Sequence, residues 1–363
     1  MKIGIDAHMV GEQETGNETY VKGLVDGFAA IPDVDLVVYN VDSPWITPNR
    51  HLQFKRLITG NPIVRLGLEL PIRSLSGLDA LHMTYGAPVW SATPIVLTVH
   101  DICYATNPEW FSPRDLRVLS TIVPRSIKKA RHVITVSQAA RRDIIDRYRV
   151  PEEKISAIPN GPGPGADPIT ADEAQAELAG LGLNLQRPYV LAVGNLQPRK
   201  NLTRLLYAFA ELVESRGHDI DLVVVGPKRF RAGEIVETAR PISDRVHFTG
   251  YVNDRQLAAC YKASVAFVFP SLYEGFGIPP LEAMAHGVPV ASSNAGGIPE
   301  VCGDAAIMFD PLSVEAIIDA VHRILSDSGL RQRLSEAAIA RAKQFSWRRS
   351  AELTFEAYKK VVA

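Results

Sequence analysis

The chain is short of several things, and each shortage narrows the field. Cysteine is scarce: Cys103, Cys260 and Cys302 stand alone in 363 residues. They are odd in number, widely separated and without metal-ligand spacing, which excludes a disulfide framework and reads as free thiols in a reducing compartment. An excess of either charge is also missing. Lys and Arg number 39 against 40 Asp and Glu, a net charge of −1, so nothing argues globally for nucleic acid or an anionic surface. No uninterrupted apolar run reaches the about 20 residues of a transmembrane helix. Met1–Asp6 reads as a strand rather than a signal peptide, and a cytoplasmic protein is expected. Against these absences stand 46% hydrophobic and 22% charged residues, a globular balance over a length suited to two domains.

The most informative stretch runs from Ser271 to Gly287. Val265–Pro270 leads in as a buried strand. Glu274 follows in a loop with Gly275 and Gly277. Pro280 suits the first turn of a helix, where a missing N–H costs nothing, and Gly287 suits its C-terminal cap. This gives a strand, a loop and a helix N-terminus, with one carboxylate before the helix and Glu282 in its first turn. Such an N-terminus suits a phosphate, and the carboxylates suit sugar or ribose hydroxyls as acceptors. Taken singly, Glu274 reads as a solvated loop residue and Glu282 as a complement to the helix dipole. For Glu282 that reading is weakened because Ile278 and Pro279, at the cap, cannot form a capping box.

The same order recurs. Lys2–Ala7 reads as a strand, Val10–Asn17 as a loop with Gly11 and Gly16, and Glu18–Ala30 as an amphipathic helix. Asp35–Asn40 is a second strand. Ser43–Leu78, interrupted by Pro44, Pro48, Pro62 and Pro71, reads as irregular with short helices. Ala80–Thr84 and Ile95–Val99 are buried strands, and His100 follows the second, at the end where open α/β sheets place ligands. Ser112–Arg149 reads as two helices around a strand at His132–Ser137. It carries ten Lys and Arg residues against three aspartates, an excess of +7. Solvated helix faces account for this, and so does a face for an anionic membrane surface or a lipid-diphosphate acceptor, through the basic 114–149 region. Lys154–Pro159 is another strand. Asn160–Pro168, rich in alternating Gly and Pro, reads as the connection between domains. Strands at Tyr189–Val193, Asp221–Gly226, Arg245–Thr249, Val265–Phe269, Val288–Ser292 and Ala305–Phe309 alternate with helical patterns, the βαβα order of a doubly wound parallel sheet. Three helices follow, at Ser313–Leu325, Leu330–Gln344 and Ala351–Val362.

Gly194–Asn201 follows the first strand of the second half and opens a helix. Arg199 and Lys200, set against the helix dipole, call for an anion such as a diphosphate. Asp33 with Asp35, and Asp219 with Asp221, have the spacing of a metal-binding pair. Both lie at the N-terminal ends of strands, away from the expected ligand side, and read as turn residues.

Glu274 to Glu282, with its glycines and prolines, resembles the paired-glutamate signature of retaining family 4 glycosyltransferases. Gly296–Val301 resembles that family's next loop, and Arg199-Lys200 its diphosphate-binding pair. The resemblance covers nearly the whole chain and implies an α/β fold of the GT-B type: two Rossmann-like doubly wound domains facing across a cleft, with a C-terminal helix returning to the N-terminal domain. The expected limits are 1–168 with about 346–363 for the acceptor-side domain and 169–345 for the nucleotide-sugar-binding domain. It implies catalytic roles for Glu274, His100, Arg199 and Lys200. It further implies nucleotide-sugar contacts from Gly16, Asn195, Tyr251, Val252, Gly275, Phe276, Gly277, Leu281 and Glu282, with no metal and no cofactor beyond the donor substrate. The opening strand and Gly16 look like the mannosyltransferase-like branch, although Asn17-Glu18 replaces the second small residue expected beside Gly16. The expected reaction is transfer of a hexose, from GDP-mannose or a UDP-sugar, to a saccharide or lipid-linked saccharide acceptor, at the cytoplasmic side of the inner membrane, with no nucleic-acid partner. A glucosyl- or N-acetylhexosaminyltransferase, a nucleotide-sugar epimerase and a non-enzymatic nucleotide-sugar sensor are the competing expectations.

Overall fold

A computed structural model describes residues 1–11, 15–29, 31–41, 44–45, 47–183 and 185–362. Parts of the expected Val10–Asn17 loop and Ser43–Leu78 region, together with Ala30 and Ala363, lie outside the described residues. The chain forms two compact units, one of residues 1–161 and 346–363, the other of residues 162–345.

The first unit is built on a parallel sheet of seven strands in the order β3-β2-β1-β4-β5-β6-β7: β1 Lys2–Asp6, β2 Asp35–Asn40, β3 Leu52–Arg56, β4 Ala80–Thr84, β5 Ile95–Thr98, β6 His132–Thr135 and β7 Ile155–Ala157. Parallel strands need crossovers, and the crossovers cover both faces, so the central strands are apolar throughout. The order reverses between β1 and β4. Right-handed crossovers on either side of that reversal must fall on opposite faces. One face packs the helix Thr15–Phe28 against the helix Trp347–Val362, with Phe28 and Tyr358 stacked at 5.7 Å. The other carries a helix running from Pro62 through a π turn at Arg65–Glu69 to Arg73, and the long helix Pro113–Lys129.

The second unit has six parallel strands in the order β10-β9-β8-β11-β12-β13: β8 Tyr189–Val193, β9 Asp221–Val225, β10 Val246–Gly250, β11 Ala266–Phe269, β12 Val290–Ser293 and β13 Ala306–Phe309. Its reversal lies between β8 and β11. Crevices outside the carboxyl ends of strands at such reversals are where open α/β sheets hold ligands.

Four expectations shift. The region Ser43–Leu78 contains β3, an edge strand whose short alternating run Leu52-Gln-Phe-Lys-Arg is half exposed and carries little apolar signal. Gly16 stands in the first turn of the helix Thr15–Phe28 rather than in the loop before it. The helix expected from Ala351 begins at Trp347. The Gly-Pro stretch is not mere connection: from Pro162 onward it belongs to the second unit.

Trp347 explains two glycines in the Thr15–Phe28 helix. A Cβ on Gly23 would lie 2.1 Å from the Trp347 ring, and one on Gly27 would lie 2.3 Å from its carbonyl oxygen. Gly27→Ala is therefore expected to destabilise the protein by about 1–3 kcal/mol by overpacking, even though alanine favours the helix. Urea unfolding measures this, and a variant as stable as the parent would mean the two helices separate readily.

Candidate active site

The loop after β11 carries the paired glutamates. Its helix begins at Ile278, capped by Gly277 at φ +147°, a conformation that favours glycine, with Pro279 and Pro280 in the first turn where no N–H is needed. Glu282 is thus the fifth helical residue, one turn later than its position in the sequence suggested. The helix stops at Gly287, φ +70°. There the Val288 N–H donates to Ala283 O at 3.0 Å and the Gly287 N–H to Met284 O at 3.0 Å, the paired bonds of a Schellman cap. The loop Gly296-Gly297 closes over Glu274 from the β12 side. The Gly297 N–H donates to Glu274 O at 2.8 Å, and a Cβ on Gly296 would meet that oxygen at 2.4 Å.

Across the reversal, β8 is followed by Gly194, whose φ is +154°. The aliphatic part of Lys200 lies over it, 3.1 Å from where a Cβ would stand. Arg199 and Lys200 occupy a 3₁₀ turn, Pro198–Lys200, just before the helix Leu202–Glu214. Asn201 joins the two at φ +56°, held there by bonds from its amide to Pro270 O and Pro311 O at 2.9 and 2.7 Å. Left-handed backbone at a non-glycine residue persists only where surroundings over-determine it. Here it aims both cations at the β11 loop. Arg199 donates to Glu274 Oε2 and Lys200 to Glu274 Oε1, each at 2.6 Å, and Arg199 also reaches Tyr273 O at 3.1 Å. All three side chains are largely shielded from solvent. Burial pushes the Glu274 carboxyl up, but the two cations overcome it and bring it down to about 2. Stability from this cluster is therefore present above the ordinary carboxylate range and lost as pH falls from about 4.5 towards 2.

Glu282 is almost wholly buried. Its Oε1 accepts from the Gly165 N–H at 3.2 Å and its Oε2 from the Tyr261 hydroxyl at 2.8 Å. The glycines of the Gly-Pro stretch allow this approach: a Cβ on Gly163 would stand 2.2 Å from Glu282 Oε1. His286 fastens the same wall through Gly165 O at 2.7 Å. Burial raises the Glu282 carboxyl to about 8. The structure thus surrounds Glu282 with protein partners, where a pair of open acceptors had been expected.

The other expected contacts divide. Asn195 and Gly275 lie beside the cluster in sequence, Asn195 half-buried after β8 and Gly275 buried. The Phe276 ring packs against Phe345 at 5.8 Å, and Leu281 is fully buried with its N–H bonded to Gly277 O. Their side chains serve the core. Tyr251, after β10, is half exposed, while Val252 is buried. Asp219 pairs with Arg187 and Arg245 at 2.8 Å, and the buried Asp221 lies within 3.7 Å of Arg187 and 3.4 Å of His247. These aspartates are committed to cations at the strand starts.

In the first unit, His100 follows β5 with its ring against Tyr20 at 4.7 Å and Tyr85 at 5.6 Å. Its Nε2 is buried without a hydrogen-bond partner, and burial lowers the imidazole to about 4, so it is neutral at pH 7. Gly16 is exposed, and among the described residues a Cβ there would meet nothing within 4 Å. At the reversal of this sheet stands a group that sequence reasoning missed. Asp6, which ends β1, is fully buried between Arg65 and His8 and forms an ion pair with Arg65. Burial raises its carboxyl, but Arg65 and His8 pull it below its ordinary value. An acid ending an apolar strand was its one signal in the sequence; its partner Arg65 lay in a region without periodicity. Arg65 and His8 line a cavity of about 770 Å³, with Tyr104, Leu119 and Ile122 among its walls. Tyr85, also on its wall, holds φ +56°.

Comparison with known proteins identifies the family. The model described as Glycosyltransferase Family 4 matches residues 15–162, and that described as Glycosyl transferases group 1 matches residues 174–341. The O-antigen chain mannosyltransferase B of Escherichia coli is 34% identical over 267 residues, 73% of this chain and 70% of that protein. The chain belongs to glycosyltransferase family 4. It is also 27% identical over 272 residues to the serotype-specific mannosyltransferase WbdA of E. coli, of which it spans a third of the length, 33%. Among solved structures, sucrose-phosphate synthase from Thermosynechococcus elongatus superposes with a TM-score of 0.76 at 23% identity, covering 99% of this chain and 98% of that one. Alr3699/HepE from Anabaena, solved with UDP and glucose, gives 0.75 at 20% identity and covers 99% and 100%. At such identities the likeness concerns the fold, the GT-B arrangement of two Rossmann-like sheets. As a family 4 glycosyltransferase the chain carries Glu274 and Glu282 within the group 1 match and His100 within the family 4 match. Among the described residues no helix is long and apolar enough to cross a membrane.

The raised Glu282 carboxyl sets a pH test. Between about 4.5 and about 8 the folded protein holds a proton that the unfolded chain releases, so this group's contribution to stability declines as pH rises through that window. Glu282→Gln stays neutral. The difference in Tm between variant and parent should move in the variant's favour from pH 5 to 8 and level off above. A constant difference would place the Glu282 titration at its ordinary value.

Proposed function

We propose that this glycosyltransferase moves a hexose from a nucleotide sugar, with GDP-mannose as the favoured donor, to a saccharide or lipid-linked saccharide acceptor, with retention at the anomeric carbon and without a metal ion. The mannosyltransferase names of its relatives support the sugar, and the complex of HepE with UDP and glucose supports a nucleotide-sugar donor. The observation that carries the reading is the Glu274 carboxylate held between Arg199 and Lys200 outside the carboxyl ends of β8 and β11.

In this reading the diphosphate of the donor meets Arg199 and Lys200. Arg199 offers directional N–H donors and Lys200 a point charge. As the bond from the anomeric carbon to the phosphate oxygen breaks, negative charge grows on the leaving diphosphate, and the two cations stabilise it where a metal would otherwise act. Glu274 accepts hydroxyls of the donor sugar and favours the positive charge developing on its ring. The departing phosphate oxygen takes the proton of the acceptor hydroxyl, which bonds to the anomeric carbon on the same face. Backbone N–H groups of Gly275, Phe276 and Gly277 contact the sugar, Asn195 serves the nucleotide, and Glu282, expected there as well, braces the helix after β11 through Gly165 and Tyr261. Tyr251 and Val252 are assigned the base. Gly16 and His100 keep the diphosphate and sugar contacts that the family resemblance implies. The basic 114–149 region is read as turned to an anionic membrane surface.

Glu274→Gln and Lys200→Ala are each expected to lower kcat/KM about 10²–10³-fold. A thermal-shift panel is expected to give the larger rise in Tm with GDP than with UDP, because only a ligand of the native state stabilises it. Turnover is expected to persist in EDTA. Near-normal turnover by either variant, or loss of activity with the chelator, would overturn the reading. A larger response to UDP would reassign the donor.

A further inference from the structure

The helix running from Pro62 to Arg73 is apolar on both sides. Its inward face sends Leu66 and Leu70 into the core and also buries two charges: Arg65 pairs with Asp6, and both carboxylate oxygens of Glu69 accept the Ile58 N–H at 3.1 and 3.0 Å. Its outward face is apolar. Ile63, Leu68 and Ile72 are exposed there, Leu75 follows just past the helix end, and Ile58 and Ile63 reach 82% and 81% exposure. The steps from 63 to 68, 72 and 75 keep one face only because the π turn Arg65–Glu69 takes up an extra residue. Exposed apolar residues scattered singly need no explanation, but a contiguous stripe on a helix whose core-facing side is already filled does.

The neighbourhood of the stripe says what covers it. The Val89 N–H donates to Leu66 O at 2.8 Å, so the loop with exposed Val89 and Trp90 lies against this helix. Lys129 donates to Pro88 O and Val89 O, and Ser126 Oγ accepts from the Ala87 N–H, which joins the same loop to the helix Pro113–Lys129. That helix carries five cations against one carboxylate, Asp115. Arg114, Arg117, Arg125 and Lys128 are exposed at spacings of three, eight and three, one stripe along its length. An apolar strip beside a cationic strip matches the acyl boundary and the anionic headgroups of a phospholipid surface.

We propose that the first unit docks on an anionic phospholipid surface by inserting the outward side chains of Ile63, Leu68, Ile72 and Trp90, while the cations of Pro113–Lys129 meet the headgroups. This rests on the membrane-facing reading of the basic region and adds the element that enters the lipid.

Flotation of the full chain with phosphatidylcholine vesicles, and with vesicles containing 30% phosphatidylglycerol, tests it. The protein should float with the anionic vesicles, and its tryptophan emission should shift to the blue unless Trp90 is replaced by Phe. The pair Leu68→Ser and Ile72→Ser should weaken partition at least about tenfold, because apolar contact with lipid is lost. The triple change Arg114→Gln, Arg117→Gln and Arg125→Gln should abolish the preference for the anionic lipid. Tm and the stabilisation by GDP should stay at parental values in both variants, since none of these residues belongs to the transfer site. Parental flotation by the Leu68/Ile72 pair would overturn insertion and leave the basic contact standing. No flotation by the parent chain would overturn both. A dimer in light scattering that the Leu68/Ile72 pair dissolves would show a second copy covering the stripe, and would overturn the lipid assignment.

Discussion

One carboxylate shared by two cations organises the second unit. Glu274 comes from the loop after β11, Arg199 and Lys200 from the turn after β8, and these two strands flank the reversal of the sheet. The contact fixes the relation of both loops at the reversal of the sheet, the end where open α/β sheets hold ligands. Its surroundings serve it: Asn201 accepts a strained backbone, Gly194 makes room for the Lys200 stem, and Gly296-Gly297 closes on the Glu274 backbone. An ion pair shielded from water is held only when its charges are well matched, and removing one partner leaves the other stranded. The cluster is therefore a structural clasp, and in the proposed reading the same two cations meet the phosphates of the donor.

The two glutamates illustrate how environment separates like groups. Eight positions apart, one is pulled to about 2 by cations and the other pushed to about 8 by burial. Glu274 is a fixed charge. Glu282 is a neutral strut that ties the helix after β11 to Tyr261 and to the backbone of Gly165.

Much of this was legible in the residues. Regular alternation of apolar runs and amphipathic segments announced the doubly wound sheets, Glu274 stood out in the strand, loop and helix of Ser271–Gly287, and Arg199 and Lys200 stood out as two cations before a helix N-terminus; that these cations hold Glu274 itself was not foreseen. The glycine- and proline-rich stretch 160–168 was read as connection because nothing local shows that Gly163 and Gly165 must clear a carboxyl more than 110 residues away. The edge strand β3 was lost because half of it faces water. Asp6 and Arg65 are 59 residues apart, and only the sheet order brings them together. Sequence patterns report what each segment buries; they say little about which distant segment it is buried against.

The return of the helix Trp347–Val362 to the first unit has a consequence for biogenesis. Ala351, Ala357, Tyr358 and Val361 complete an apolar layer begun by Ile3, Ile5 and Leu24. As the polypeptide leaves the ribosome, residues 162–345 emerge as an uninterrupted block that can collapse on its own. The layer over β1 stays uncovered until that block has been made. The half synthesised first is therefore the half finished last, and in the interval its bare apolar face is a natural client for a chaperone.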